Sequence, residues 1–237
     1  DAVRAAGFRL AEAILVDDGS SDGTRAALKR AEAEDETIRV TGFERNRGKG
    51  AAVAAGVREA RGDYVLLLDV DLSTPLEELP KLAAAVRNGA DIAIGSRAID
   101  GALVERGPLH RMVLGKGFNG TVRLLTGLRA RDTQCGFKLL PTGPAKRLLA
   151  RQEFPGFAFD VELLLRASLA GLSIAEVPVV YLHDDRSRVQ VVSASLKMLR
   201  DVLAMSYRLR VRGEADGPEA IASPEGELVR LSADNPD

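Results

Sequence analysis

Cysteine, histidine and tryptophan are nearly missing from this chain. Its 237 residues include one Cys, two His and no Trp. A lone Cys135 excludes an intrachain disulfide, a thiolate zinc cluster and a CxxC redox pair. His110 and His183 are too few for a polyhistidine metal centre. The lack of Trp argues against a sugar-binding module built on indole stacking. No apolar run approaches the ~20 residues of a membrane span. No basic-apolar-small leader opens the chain, which begins at Asp1 rather than Met. These absences leave a reduced, cytosolic, globular domain as the expectation.

What is present is ordinary in amount and uneven in placement. Charged residues make up 28% and hydrophobic ones 46%, a globular balance rather than a disordered one. The net charge of −1 hides seven acids against one Arg from Gly213 onward. Residues 1–212 therefore form a mildly basic domain, and residues 213–237 an acidic tail expected to be disordered. Phosphate-bearing partners suit such a domain, and nothing in the chain points to nucleic acid.

Apolar runs alternate with helical patterns along the first hundred residues. The spacing predicts strands over 13–16, 38–41, 64–68 and 91–95, with helices over 24–34, 50–60 and 76–86 between them. This βαβαβ rhythm implies a mostly parallel sheet covered by helices, with ligands beyond the carboxyl ends of its strands. Two basic amphipathic stretches follow. Residues 106–131 carry six Arg or Lys and no acid; residues 186–212 carry seven against Asp201 alone, with Leu196, Leu199 and Leu203 as an apolar face.

Three polar clusters lie on the expected ligand edge. Asp69-Val70-Asp71 follows a strand, and extended alternation would point both carboxylates to one spot. Two hard oxygen ligands with open positions suit Mg²⁺ or Mn²⁺ shared with a substrate phosphate, although a plain acidic loop has the same pattern. In Val16-Asp17-Asp18-Gly19-Ser20-Ser21-Asp22-Gly23-Thr24, Asp22 reads as a helix cap. Asp17 and Asp18 exceed what a cap needs and suit a nucleoside base or ribose. Arg45-Asn46-Arg47-Gly48-Lys49-Gly50 opens a helix and could cradle a phosphate, or simply be a solvated basic loop. Ala51 rules out a Walker A loop.

The order of these elements is more specific than any one of them. VDDGSSDGT, NRGKGAAVAAG, GDYVLLLDVDLSTP and DIAIGSR, in sequence, resemble the family-2 glycosyltransferases of the GT-A fold. RDTQCGFKLL, FAFDVELL and AEVPV further resemble the enzymes that load sugars onto polyprenyl phosphates, the dolichyl-phosphate β-glucosyltransferases above all. The resemblance covers roughly residues 11–210. It implies a GT-A catalytic domain over 1–212, and inverting transfer of a hexose, glucose favoured, from a nucleoside diphosphate sugar such as UDP-glucose to a polyprenyl phosphate. Asp17, Asp18 and Lys49 would face the nucleoside and diphosphate. Asp69 and Asp71 would hold the divalent cation, Mg²⁺ or Mn²⁺, with Asp71 catalytic through it. Arg97, Arg111 and Arg188 would clamp phosphates. Asp132 is the candidate general base, with a salt bridge to Arg129 or Arg131 as the alternative; Asp160 and Glu162 read as structural or acceptor-loop residues.

The family's opening strand, with its Pro-Ala-Tyr-Asn-Glu-like segment, has no counterpart in this chain. Ser73 stands where the related mannose synthases carry an amide metal ligand. The amphipathic stretches imply peripheral attachment to the inner, cytoplasmic face of a membrane. Three other readings fit the same motifs: a GDP-mannose-dependent synthase, a GT-A enzyme with a soluble acceptor, and a non-catalytic nucleotide-binding domain.

Overall fold

The structure, a computed structural model, describes the backbone of residues 1–105, 109–182, 191–211 and 213. Within those it describes the side chains of all but residues 109–116 and 191–196. The expected acidic tail beyond Gly213 lies outside them.

A short helix α1 (Ala2–Ala5) leads into strand β1 (Ala13–Asp18), helix α2 (Thr24–Glu34), β2 (Ile38–Phe43), α3 (Lys49–Glu59) and β3 (Tyr64–Leu67). A 3₁₀ turn over Leu76–Glu78 runs into α4 (Leu79–Arg87), followed by β4 (Ile92–Ser96) and the two-residue β5 (Leu103–Val104). Then come α5 (Leu109–Thr126), β6 (Lys138–Pro141), α6 (Thr142–Ala150), α7 (Phe159–Leu169), β7 (Ile174–Pro178), β8 (Val180–Tyr181) and α8 (Val191–Ser206), which widens into a π-helical turn over Tyr207–Val211. The strands and helices expected in the first hundred residues fall within one or two residues of their predicted limits. Pro75 precedes the 3₁₀ turn, which rewinds the first turn of the helix expected over 76–86.

The main sheet is in two parts, and β5 pairs with β8 in a separate parallel ribbon. β1 pairs with β2 in parallel, Ala13 opposite Ile38 and Asp18 opposite Phe43. The larger part has the order β3-β6-β4-β7. β4 and β7 are parallel, while β6 runs antiparallel to both β3 and β4. β3, β4 and β7 thus run in one direction and β6 is inserted against them. Among the described residues no strand joins β1 to β3. That agrees with the absence of a counterpart to the family's opening strand. Helix α3 packs on β1 and β2 and against α6, and so ties the two parts together.

Alternation sorts the larger sheet's side chains between two cores. Val65, Leu67, Ile92, Ile94 and Leu140 face the layer of α3 and α5 to α8. Tyr64, Leu66, Ala93, Phe137 and Leu139 face α1 and α4. β6 has no polar face because it is central and covered on both sides, so its sequence carries no strand alternation to read.

Helix α8 departs from its expected facing at Leu203, while the side chain of Leu196 lies outside the described residues. Its core stripe is Met198, Val202, Met205 and Leu209, all buried. Leu203 lies outside with Tyr207 and Val211, and Leu199 is half-buried. The thioethers outcompete the leucines here because the 3.6-residue period puts 198, 202, 205 and 209 on one line toward α5 and α7.

Candidate active site

The two acidic residues that end β1 are both engaged by the protein itself. Asp17 is buried; its Oδ1 accepts the Ser20 amide at 3.0 Å and its Oδ2 the Arg25 Nε at 2.7 Å. These bonds, from Ser20 first and then Arg25, hold its carboxyl below the usual carboxylate range. Arg25 also donates to the Phe43 carbonyl, so Asp17 fixes the end of β2. Asp18 accepts the amides of Arg47 and Gly48 at 2.7 and 2.8 Å. It thereby seats the Arg-Gly-Lys-Gly loop against the end of β1.

That loop is not a phosphate cradle. The amides of Gly50 and Ala51, which an open helix start would offer to an anion, both donate to the Pro155 carbonyl, at 2.8 and 3.3 Å. The loop around Pro155 is held in turn by buried Glu162, whose carboxylate accepts the amides of Glu153 and Phe154 and the Arg166 guanidinium. Gly48 is required at its position: φ is +100°, and a Cβ there would lie 2.5 Å from the Pro155 oxygen. Glu162 is thus structural, as expected.

The Asp-Val-Asp motif is a turn rather than an extended pair. β3 ends at Leu67, the Leu72 amide donates to the Asp69 carbonyl at 3.1 Å, and Leu72 adopts φ +51°. The alternation expected of these residues therefore does not apply; the turn closes because Asp71 Oδ1 accepts the Ser73 amide at 3.0 Å. Asp71 is exposed and Asp69 partly so. The Asp69 carboxylate lies flat on Gly136, where a Cβ would come within 2.1 Å of its Oδ2.

Lys49, the first residue of α3, crosses from β1's side to place Nζ 2.7 Å from Asp69 Oδ1. Burial alone would lower its pKa, but Asp160, Asp69 and Asp71 outweigh that and keep the ammonium charged. Beneath it, the fully buried Lys138 ammonium pairs with Asp160 and donates to the Cys135 carbonyl at 2.6 Å.

Asp69 and Asp71 are hard oxygen donors on a solvent-reached turn, and the Ser73 Oγ beside them is buried with no hydrogen-bond partner. That donor set fits Mg²⁺ or Mn²⁺ in chemistry, as a partial coordination shell that diphosphate oxygens would complete. Among the described residues there is no group of three or more Asp, Glu, His or Cys able to hold an ion unaided.

Across a small cavity from Asp69 stands Arg97. The cavity, about 30 Å³, is lined by Asp69, Ser73, Thr74, Arg97, Gly136 and Tyr181 among others. Arg97 makes a fork to Asp132, Nε to Oδ2 at 2.6 Å and Nη2 to Oδ1 at 2.9 Å, and stacks on the Tyr181 ring at 4.9 Å. Asp132 is 2% exposed and also accepts the amides of Arg97 and Gln134. Burial would raise its pKa; the Arg97 guanidinium overrides this and holds the carboxyl below the usual range. Such a carboxylate is a poor proton acceptor, and its partner is Arg97 rather than Arg129 or Arg131. It positions Arg97. Burial pushes the Cys135 thiol up, so it is no nucleophile either. Arg188 lies outside the described residues, and Arg111 sits on α5 with its side chain outside them.

Sequence reasoning overlooked Gly136, Tyr181 and the Lys138–Asp160 pair. The glycine had a signal, since it follows Cys135 in a motif already singled out. Tyr181 had none.

An α/β sheet with these groups on its ligand edge defines a nucleotide-sugar transferase scaffold, and residues 1–149 match the family described as glycosyl transferase family 2. The chain belongs to that family. It is 34% identical over 206 residues to a dolichyl-phosphate beta-glucosyltransferase of Dictyostelium discoideum, covering 83% of this chain and 63% of that protein. The mouse protein of the same name is 36% identical, over 83% of this chain and 64% of its own length. The chain thus spans a little under two thirds of these relatives. Among solved structures, glucosyl-3-phosphoglycerate synthase from Mycobacterium tuberculosis, bound to phosphoglyceric acid, superposes with a TM-score of 0.62 at 18% identity, over 82% of this chain and 69% of that one. The same synthase with Mn²⁺, UDP-glucose and phosphoglyceric acid gives 0.60 at 19%, over 81% and 68%. These structures share the GT-A fold.

Proposed function

We propose that the protein transfers a hexose, glucose favoured, from a nucleoside diphosphate sugar to a polyprenyl phosphate, with inversion at the anomeric carbon. One observation carries the reading: Asp69, paired with Lys49, and the Asp132-locked Arg97 line one small cavity. A carboxylate suited to a cation and a guanidinium suited to a phosphate thus share one cavity, which supports this reading. The relatives' names supply glucose and the dolichyl phosphate acceptor; UDP as the carrier is our reading from the resemblance.

Asp69 and Asp71, with Ser73 Oγ adjoining, would hold Mg²⁺ or Mn²⁺, which supplies neutralisation of the departing diphosphate. Lys49 would meet the same diphosphate. Arg97 would orient the acceptor phosphate toward the anomeric carbon. No general base is needed, because a phosphate monoester has a second pKa near 6 and is largely dianionic at neutrality. Asp17 and Asp18 would shape the nucleoside end through the loops they hold.

The domain would work peripherally at the cytoplasmic face of a membrane. Among the described residues no helix is long and apolar enough to cross one. α8 instead carries a second, outward stripe of Leu203, Tyr207 and Val211 beside Lys197 and Arg200.

Asp71→Asn tests the core of this reading. The variant should lose metal-dependent binding of the nucleoside diphosphate in calorimetry and at least a hundredfold in transfer, with its melting temperature unchanged. Full transfer by that variant in EDTA refutes the metal role.

A further inference from the structure

A carboxylate that is to receive a divalent ion is here already paired with an ammonium. Lys49 Nζ lies 2.7 Å from Asp69 Oδ1. The Asp69 carboxyl rests on the Gly136 backbone, which blocks its retreat on that side. The start of α3 is equally fixed, with Gly48 held by Asp18 and Gly50 by Pro155. The long stem of Lys49 is the part with most freedom to move. A divalent ion and an ammonium on one carboxylate repel each other in a partly buried site, so each weakens the other's hold. The displaced ammonium has few places to go. Asp160, whose charge also favours this ammonium, is shared with the paired Lys138, and the Phe159 ring, 5.7 Å away, is a weak substitute.

We propose that Lys49 is a resident counter-cation of Asp69, which suppresses binding of a divalent ion alone and yields when the ion arrives with a diphosphate. The diphosphate gives the displaced ammonium a new anion, so ion and nucleotide bind as a pair. By linkage each then strengthens the other's binding to the same extent. Lys49 is on this account a positioning residue whose charge couples the loading of ion and nucleotide. The proposal rests on the metal reading of Asp69 and Asp71 and is independent of the sugar and the acceptor.

The test reads Mn²⁺ alone, by the loss of its free electron paramagnetic resonance signal on titration with protein. No turnover is involved. Lys49→Met and Lys49→Gln should bind Mn²⁺ without nucleotide about tenfold more tightly than wild type. Lys49→Arg, which keeps the charge, should stay within threefold of wild type. In EDTA, UDP should bind both neutral variants several-fold more weakly, because its ammonium partner is gone. Melting curves select the variants that are folded, and either neutral one suffices. If wild type binds Mn²⁺ with UDP but a folded neutral variant binds bare Mn²⁺ no more tightly than wild type, the counter-cation role is overturned while the metal site stands. If wild type and neutral variants all fail to bind Mn²⁺ with UDP present, the metal reading falls together with it.

Discussion

Asp132 shows how much a residue's neighbours decide its chemistry. A carboxylate held in a fork by Arg97 and by two backbone amides keeps its charge and gives up its basicity. Its folded-state pKa lies below the ordinary value. Its contribution to stability is therefore fully present above the unfolded pKa, near 4, and is lost as pH falls through the folded one. Asp132→Asn should cost about 3 kcal/mol at pH 7, because it strands a largely covered guanidinium, and the gap to wild type should close in acid. Urea unfolding across a pH series measures this. The rate profile gives an independent check: the acidic limb of turnover should follow the acceptor's own second pKa and move when a phosphonate replaces the phosphate. A limb that stays fixed would return Asp132 to the role of base. Gly136 acts at the same scale. Gly136→Ala drives a methyl into the Asp69 carboxylate and should weaken Mn²⁺-dependent UDP binding at least tenfold, measured by calorimetry, with only a small fall in melting temperature.

At the scale of elements, the two parts of the sheet differ in how well they are held. β2 is an edge, β1 is paired on one side only, and α2 above them has no buried residue. β4 and β6 are paired on both sides and covered on both faces. Local opening should follow that difference. Peptides spanning 13–18 and 38–43 should exchange their amide hydrogens markedly faster than those spanning 92–96 and 138–141, as followed by mass spectrometry. Equal protection would mean that β1 and β3 are bridged in solution. The elements were unequally legible in the sequence. β1 to β4 announced themselves by apolar runs ending in polar turns, and Asp69, Asp71, Lys49 and Arg97 by their place at those ends. β6 did not, since a fully covered strand that includes Lys138 shows neither alternation nor an apolar run. The facing of α8 was misread because leucine count is a weaker guide than the line that 198, 202, 205 and 209 make on a helix. The Pro155 cap was illegible for a different reason: it joins residues a hundred positions apart through a carbonyl, which no side-chain pattern reports.

At the scale of the whole molecule, α5 and α8 combine exposed apolar side chains with exposed cations. α5 and α8 pack together, and their outer surface shows Leu124 at 85% exposure and Val211 at 70%, with Arg123 and Arg200 also exposed. Each cation near an anionic leaflet contributes roughly 1 kcal/mol, screened over about 8 Å at physiological salt. The protein should therefore float with anionic vesicles at low salt and be released at high salt. Reversing charge at Arg123 and Arg200 should reduce flotation several-fold and should slow transfer to a long-chain acceptor in vesicles more than to a short soluble one. Flotation that is absent at low salt, or indifferent to salt, would favour a soluble acceptor. The sealed start of α3 shapes the energetics of every such encounter. With its amides spent on Pro155, that end of the helix offers an anion no fixed dipole, and recognition passes to long side chains such as Lys49. Those chains must be brought to rest each time a ligand settles and set loose each time it leaves. Such association draws on heat released rather than disorder gained, and its strength should fade quickly as the solution warms.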